Sequence, residues 1–188
     1  MLELVLPSDK FIESVRKGIA EYKNSPSPFD IHCVEKLINA EKDNFISYFT
    51  AAESSRKGIG LKKGYVPATT LWLINDGKYI GSFDIRHKLN DFLHQSGGHI
   101  AYQIVPSERN KGYAKAGLKL ALAYARNVLK IKQALLTCRF ENQASYKTML
   151  SVMKEWGGRE DTPSKTDGQK EHRVWIDTSP ITKKSSCN

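Results

Sequence analysis

The chain has 188 residues, 40% of them hydrophobic, and 29 Lys and Arg against 20 Asp and Glu leave it with a formal net charge of +9. A chain of this length buries roughly 70% of its unfolded surface, so one core closes without a metal or disulfide staple. Cys33, Cys138 and Cys187 are odd in number and far apart, which excludes a disulfide framework and a zinc-ligand pattern and makes a reducing cytoplasm the expected setting.

Residues 2–6 read as a strand, too short and too acidic for a signal peptide, and no apolar run approaches membrane-spanning length. Ser8 is placed to cap a helix whose Phe11, Val15, Ile19 and Tyr22 share a face. Asn24-Ser25-Pro26-Ser27-Pro28 breaks it, and Asp30 then caps a second helix. Ile31, Val34, Leu37, Ile38, Phe45 and Phe49 give that helix one apolar stripe to about Ala52. Residues 53–67 follow as a basic, glycine-containing loop, long enough to suggest function.

Residues 69–75 and 78–85 are rich in β-formers and meet at Asp76-Gly77, an antiparallel hairpin signal. Residues 99–105 form the next strand, and Leu118, Ala121, Leu122, Ala125, Val128 and Leu129 mark the helix after it. A short strand at 133–138 leads to Asn142, an N-cap for a helix carrying Tyr146, Met149, Leu150, Met153 and Trp156. Gly157-Gly158 ends that helix, and residues 159–177 read as a second hairpin turning at Asp167-Gly168. The order is β-α-α-β-β-β-α-β-α-β-β without an internal repeat, a single domain over residues 1–178, and the tail at 179–188, with Lys183-Lys184-Ser185-Ser186, is expected to be flexible.

The junction between the 99–105 strand and its helix carries the chemistry. Ile104-Val105-Pro106 ends the strand, and Arg109, Asn110, Lys111, Gly112, Tyr113 and Ala114 lead into the helix. A helix N-terminus offers unpaired N–H groups and the positive end of the dipole, so a phosphate-bearing cofactor is the natural occupant. A side chain at Gly112 would stand between backbone and phosphate, and Arg109 and Lys111 add cationic contacts. An ordinary turn or cap is the alternative. The segment is neither a Walker loop nor a dinucleotide fingerprint.

Arg109-Asn110-Lys111-Gly112-Tyr113-Ala114 resembles the Gln/Arg-x-x-Gly-x-Gly/Ala signature of the GNAT superfamily of acyl-coenzyme A-dependent N-acyltransferases. Val105-Pro106 stands where that family ends its splayed fourth strand. Ile85-Arg86-His87-Lys88-Leu89-Asn90 and Gly97-Gly98-His99-Ile100-Ala101-Tyr102 are similar to a bacterial branch of predicted acetyltransferases. The resemblance implies an α/β (α+β) fold with a mixed, mostly antiparallel central sheet flanked by helices. It implies transfer of an acetyl group from acetyl-coenzyme A to a primary amine in a ternary complex; no metal is expected, because the histidines show no ligand spacing. By the same resemblance the backbone of Ile104 and Val105 pairs with the pantetheine arm, Asn142 reaches its carbonyls, and Ser145 and Tyr146 face the thiol end.

Such a transfer needs the amine's proton removed and the thiolate's departure eased, but no nucleophilic residue. His99 is the first candidate base, with Glu141 and His87 comparable; Glu108 reads as a helix-start carboxylate. Many family members carry a tyrosine four residues before the glycine closing the last helix, where this chain has Met153. Tyr146 is the substitute acid, or the thiolate leaves unaided. Cys138 reads as a small buried hydrophobe, and His94 and His99 form no metal spacing. If the family architecture holds, the acceptor site lies among the two N-terminal helices, the 53–67 loop and residues 86–95, with Arg86, His87 and Asn90 as contacts.

The expected partner is an amine-bearing small molecule or peptide, with no specific nucleic acid and no membrane; a homodimer stays open. Two alternatives remain: a non-catalytic acyl-coenzyme A sensor, which the missing tyrosine permits, and a basic nucleic-acid-binding module, which the net charge suggests but no motif supports.

Overall fold

The computed structural model describes residues 1–25, 29 and 31–180, excepting the side chains of residues 31–33. The proline break at 26–28, the Asp30 cap and the basic tail lie outside them. Among the described residues there are seven strands and six α-helices. Strands β1 (Leu2–Val5), β2 (Ala68–Asn75), β3 (Lys78–Arg86) and β4 (Ile100–Ile104) form one sheet in that order. Strands β5 (Gln133–Arg139), β6 (Gly158–Thr166) and β7 (Gln169–Asp177) form a second, ordered β5-β7-β6. Every ladder is antiparallel.

Both hairpins turn where the sequence marks them. Asp76 and Gly77 have φ of 48° and 80°, and Asp167 and Gly168 have 50° and 79°. Two consecutive positive φ values match the right-handed strand twist, which is why Asp-Gly is favoured there.

The helices are α1 (Ile12–Asn24), α2 (Ile31–Ala40), α3 (Ile46–Lys57), the short α4 (Asp91–Gln95), α5 (Tyr113–Asn127) and α6 (Gln143–Trp156). The single helix expected from Ile31 to about Ala52 is two helices. Asn44 and Phe45 sit at φ of 53° and 67° and break it. Phe45 tolerates this conformation because its ring is fully buried, packed against Tyr48 and Phe49 with the Arg16 guanidinium over it. Asp43 accepts from the Ser47 N–H at 2.9 Å and anchors the restart. The expected loop is shorter than 53–67, because Glu53 pairs with Arg56 and Lys57 and the helix runs on to Lys57.

The first sheet is buried on both faces. Leu73, Phe83, Ile85, Ile100 and Ile104 pack with Leu118 and Leu122 of α5 and Met149 of α6. On the other face Trp72, Ile74, Tyr79 and Val105 pack with Val15, Ile19, Leu37 and Phe45. Alternating side-chain direction along each strand splits the sheet's residues between these cores. No helix among the described residues is long and apolar enough to cross a membrane.

Candidate active site

The two sheets meet between β4 and β5, and no ladder joins those strands. They are fastened at one end only. The His99 N–H donates to the Leu135 carbonyl at 2.6 Å, and the Leu135 N–H donates to His99 Nδ1 at 3.0 Å. The Gly97 N–H donates to Thr137 Oγ1 at 2.8 Å, and Arg86 Nη1 donates to the carbonyls of Gly97 and Gly98 at 2.6 and 3.0 Å. Gly98 makes the approach feasible: its φ is +56°, and a Cβ there would lie 2.3 Å from the Leu135 oxygen. Residues 97–99 are therefore the pivot of a splay.

Beyond the pivot β4 has an open edge. The Arg86 N–H donates to the His99 carbonyl at 2.8 Å and the Val105 N–H to the Ile80 carbonyl at 2.9 Å, which fixes residues 99 and 105 toward β3. Antiparallel pairing alternates, so the N–H and C=O of Ile100, Tyr102 and Ile104 point into the splay. Ile104 thus directs its backbone into the splay, whereas the Val105 amide is spent on Ile80.

At the mouth of the splay the chain turns through Pro106–Glu108 and enters α5. Gly112, at φ 82°, precedes the helix, and the Ala116 N–H to Gly112 carbonyl bond of 3.0 Å is its first. The amides of Gly112, Tyr113, Ala114 and Lys115 therefore lack an intrahelical acceptor. A Cβ at Gly112 would meet nothing within 4 Å, so space lies open beside these donors. Arg109 lies over the free edge, its Nε donating to the Ile104 carbonyl at 3.1 Å. Asn110 is left-handed at φ 61°. Lys111 pairs with buried Glu108 at 3.2 Å, and Lys78 pairs with it at 2.6 Å. These cations, Lys78 foremost, hold the Glu108 carboxyl below its usual range against burial.

The far wall comes from α6. Asn142 Oδ1 accepts from the Ser145 N–H at 3.2 Å, the cap expected of it. Ser145 Oγ lies 3.1 Å from the Tyr102 hydroxyl, a hydrogen bond between α6 and β4. Burial pushes the Tyr102 phenol up, with Ser145 opposing. Cys138 is buried beside Ser145, and burial raises its thiol to about 12, which keeps it protonated at neutral pH.

Several candidate side chains hold structural posts. His99 is buried, and burial first, then the charges of His94 and Arg86, lowers it to about 4. Its Nδ1 lone pair is occupied by the Leu135 N–H, so the ring is a clamp and has no lone pair for a substrate proton. The Tyr146 hydroxyl donates to Glu160 and its ring stacks on His172, with centroids 3.6 Å apart. That bond to Glu160 is the main reason its phenol is raised. The acid role read for Tyr146 therefore meets a proton already committed to β6. Arg86 braces the pivot. His87 Nε2 lies 2.9 Å from Thr69 Oγ1, and burial lowers its ring. Asn90 caps α4 through the Leu93 N–H at 2.9 Å and donates to the Gly64 carbonyl at 2.8 Å, tying residues 58–67 to α4. Glu141 is exposed just before Asn142. The pivot glycine and Tyr102 escaped sequence reasoning, although Gly97-Gly98 ahead of a strand is a signal of close backbone approach.

The family model of the acetyltransferase (GNAT) domain matches residues 30–152. Among solved structures, RimL, a ribosomal L7/L12 alpha-N-protein acetyltransferase in complex with coenzyme A as a cysteine disulfide, is 14% identical with a TM-score of 0.61, over 93% of this chain and 92% of that one. RimJ from Mycobacterium smegmatis, in complex with CoA-disulfide, is 17% identical with a TM-score of 0.64, over 94% and 81%. The microcin C7 self immunity acetyltransferase MccE, in complex with acetyl-CoA and AMP, is 15% identical with a TM-score of 0.64, over 94% and 92%. No curated protein matches the sequence significantly.

Proposed function

The chain belongs to the GNAT acetyltransferase family, and from that premise we propose that it transfers an acetyl group from acetyl-coenzyme A to a primary amine of a small molecule or peptide, residues 1–178 acting as one domain. The observation that carries this reading is the splay itself, a pivoted gap with a free strand edge on one side and unpaired helix amides at its mouth. The ligands of RimL, RimJ and MccE support the donor.

Acetyl-coenzyme A would supply an already activated thioester. The chain's part is to bind, orient and manage charge. The amides at Gly112, Tyr113 and Ala114 and the cations of Arg109 and Lys111 suit a pyrophosphate, with Asn110 shaping the turn. The backbone groups of Tyr102 and the N–H of Ile104 suit an amide-bearing arm lying against β4 as an added strand, and Asn142 and Ser145 face it from α6. Direct attack by the amine agrees with a thiol at Cys138 too poorly ionised to carry an acyl group. With His99 occupied, the amine's proton leaves through solvent, with Glu141 the exposed carboxylate nearest in sequence to Asn142. Residues 58–67, α4 and the N-terminal helices are the acceptor side, where Arg86, His87 and Asn90 act by holding the loop and pivot in place.

The test joins binding to turnover. Coenzyme A should raise the melting temperature, and acetyl-coenzyme A should release thiol with at least one class among amino acids, polyamines, aminoglycosides and peptides. A thermal shift without amine-dependent release would leave a sensor, and absence of both overturns the reading.

A further inference from the structure

One face of the first sheet carries a carboxylate that no cation among the described residues neutralises. Asp84 of β3 pairs in register with Thr70 of β2 on one side and with Ala101 of β4 on the other. It lies two residues from Ser82, whose partners in register are Trp72 and Gln103. Side chains alternate along a strand, so all six share the face on which Trp72 packs against the N-terminal helices. Most of that face is apolar and closed, yet Asp84 is only half-buried, and it accepts from Thr70 Oγ1 at 2.5 Å. Arg86, two residues along the strand, is committed to the carbonyls of Gly97 and Gly98. Gln103 is buried and spends its Nε2 on Ser82 Oγ at 3.0 Å, while its Oε1 meets no donor among the described residues. The patch is rich in acceptors and short of donors. An ammonium group, which carries donors only, complements it.

Resting on the acetyltransferase reading above, we propose that Asp84 anchors a second positive charge on the acceptor, which makes the acceptor a dication: one primary amine that reacts and another ammonium group that does not. With the phosphates at the mouth of the splay, an arm along β4 runs toward the pivot, and its thioester end lies level with Ile100 to Tyr102. Ala101 is half-buried there, so only a methyl group stands on this face between the edge of β4 and Asp84. Two strand spacings of ~4.8 Å separate β3 from an arm laid on that edge, which puts the carboxylate out of reach of the reacting nitrogen. It can instead hold a charge roughly 5–8 Å from that nitrogen, about the span of four or five methylenes. No bond changes at Asp84. The ammonium it holds keeps its proton, because a neighbouring carboxylate favours the charged form, while the amine at the thioester is the one that loses its own.

Three acceptors of one length test this with acetyl-coenzyme A as donor: 1,5-diaminopentane, 5-amino-1-pentanol and 5-aminopentanoate, which end in an ammonium, a hydroxyl and a carboxylate. The wild type should show a kcat/KM at least ~30-fold higher for the diamine than for the amino alcohol, mostly through KM, and the lowest value for the amino acid. Asp84→Asn keeps an oxygen for Thr70 and removes the charge. It should turn over the diamine no better than the wild type turns over the amino alcohol, while coenzyme A still raises its melting temperature. A wild type that uses the amino alcohol as well as the diamine overturns the inference, as does thiol release confined to amines without a second cation. A folded Asp84→Asn enzyme that keeps the preference for the diamine also overturns it; if that variant does not fold, the wild-type series decides alone. Each of these outcomes leaves amine-dependent thiol release in place. A wild type that neither binds coenzyme A nor releases thiol with any amine removes the acetyltransferase reading as well.

Discussion

At its start β4 is held to β5 by hydrogen bonds in both directions through His99 and Leu135, with Arg86 and Thr137 fixing the glycines before it. At its end the same strand has left β5 behind, and the Ile104 carbonyl is met by a side chain, Arg109. The first end is over-determined and closed; the second is open and lined with donors. Unpaired strand edges tend to pair, and the Val105 N–H bond to Ile80 keeps the far end of β4 on β3. The pivot is thus the fixed end of the splay, and its residues are committed to structure.

The largest effect expected at the open end comes from Gly112→Glu. It places a side chain at a φ of 82°, and adds bulk and negative charge beside the helix amides. Coenzyme A affinity should fall at least ~100-fold, on the order of 2.7 kcal/mol, and the thermal shift should vanish. A folded variant with the full shift would place the cofactor elsewhere and dissolve the contrast between the two ends.

At the closed end, His99→Leu should cost about 2 kcal/mol, since it leaves the buried Leu135 N–H without its acceptor. The pH dependence identifies the clamp. The unfolded chain takes a proton on this histidine near pH 6.5, whereas the folded ring stays neutral until about 4. Its contribution is therefore complete above 6.5 and is lost as the pH falls from 6.5 toward 4, by at most about 3 kcal/mol. Chemical denaturation across that window should show a slope in the wild type that the leucine variant lacks. Identical slopes would mean that His99 is not held neutral and that the pivot does not depend on it.

The open end was the more legible in sequence. A strand ending at Val105-Pro106, a glycine at 112 and an apolar stripe from Leu118 are local signals, and the turn and the helix follow from them, whereas an open edge at Ile104 was implied by the family resemblance alone. The hairpins at Asp76-Gly77 and Asp167-Gly168 were legible for the same reason. The pivot depends on Leu135, which no periodicity connects to His99, so the ring that stands out as a base is in fact a clamp. Tyr146 was similarly legible as a tyrosine of α6 but not as a partner of Glu160, which arrives on a later strand. The break at Asn44–Phe45 hid because Phe45 and Phe49 continue the apolar stripe across it; burial of the Phe45 ring compensates a backbone conformation that pattern alone cannot anticipate.

The smallest expected effect lies on the wall facing the open edge, and it asks whether Asn142 serves the helix, the splay or both. Its Oδ1 caps the Ser145 N–H, so Asn142→Ala should cost ~1 kcal/mol of stability as a lost cap. Asn142→Asp keeps an oxygen in that place and should restore the stability while removing the amide's N–H donors. If Asn142 also reaches the pantetheine carbonyls, the aspartate variant stays impaired in turnover with normal stability, because a carboxylate can accept but not donate to them. If it turns over like the wild type, Asn142 is a cap alone and the far wall of the splay contributes its cofactor contact through Ser145.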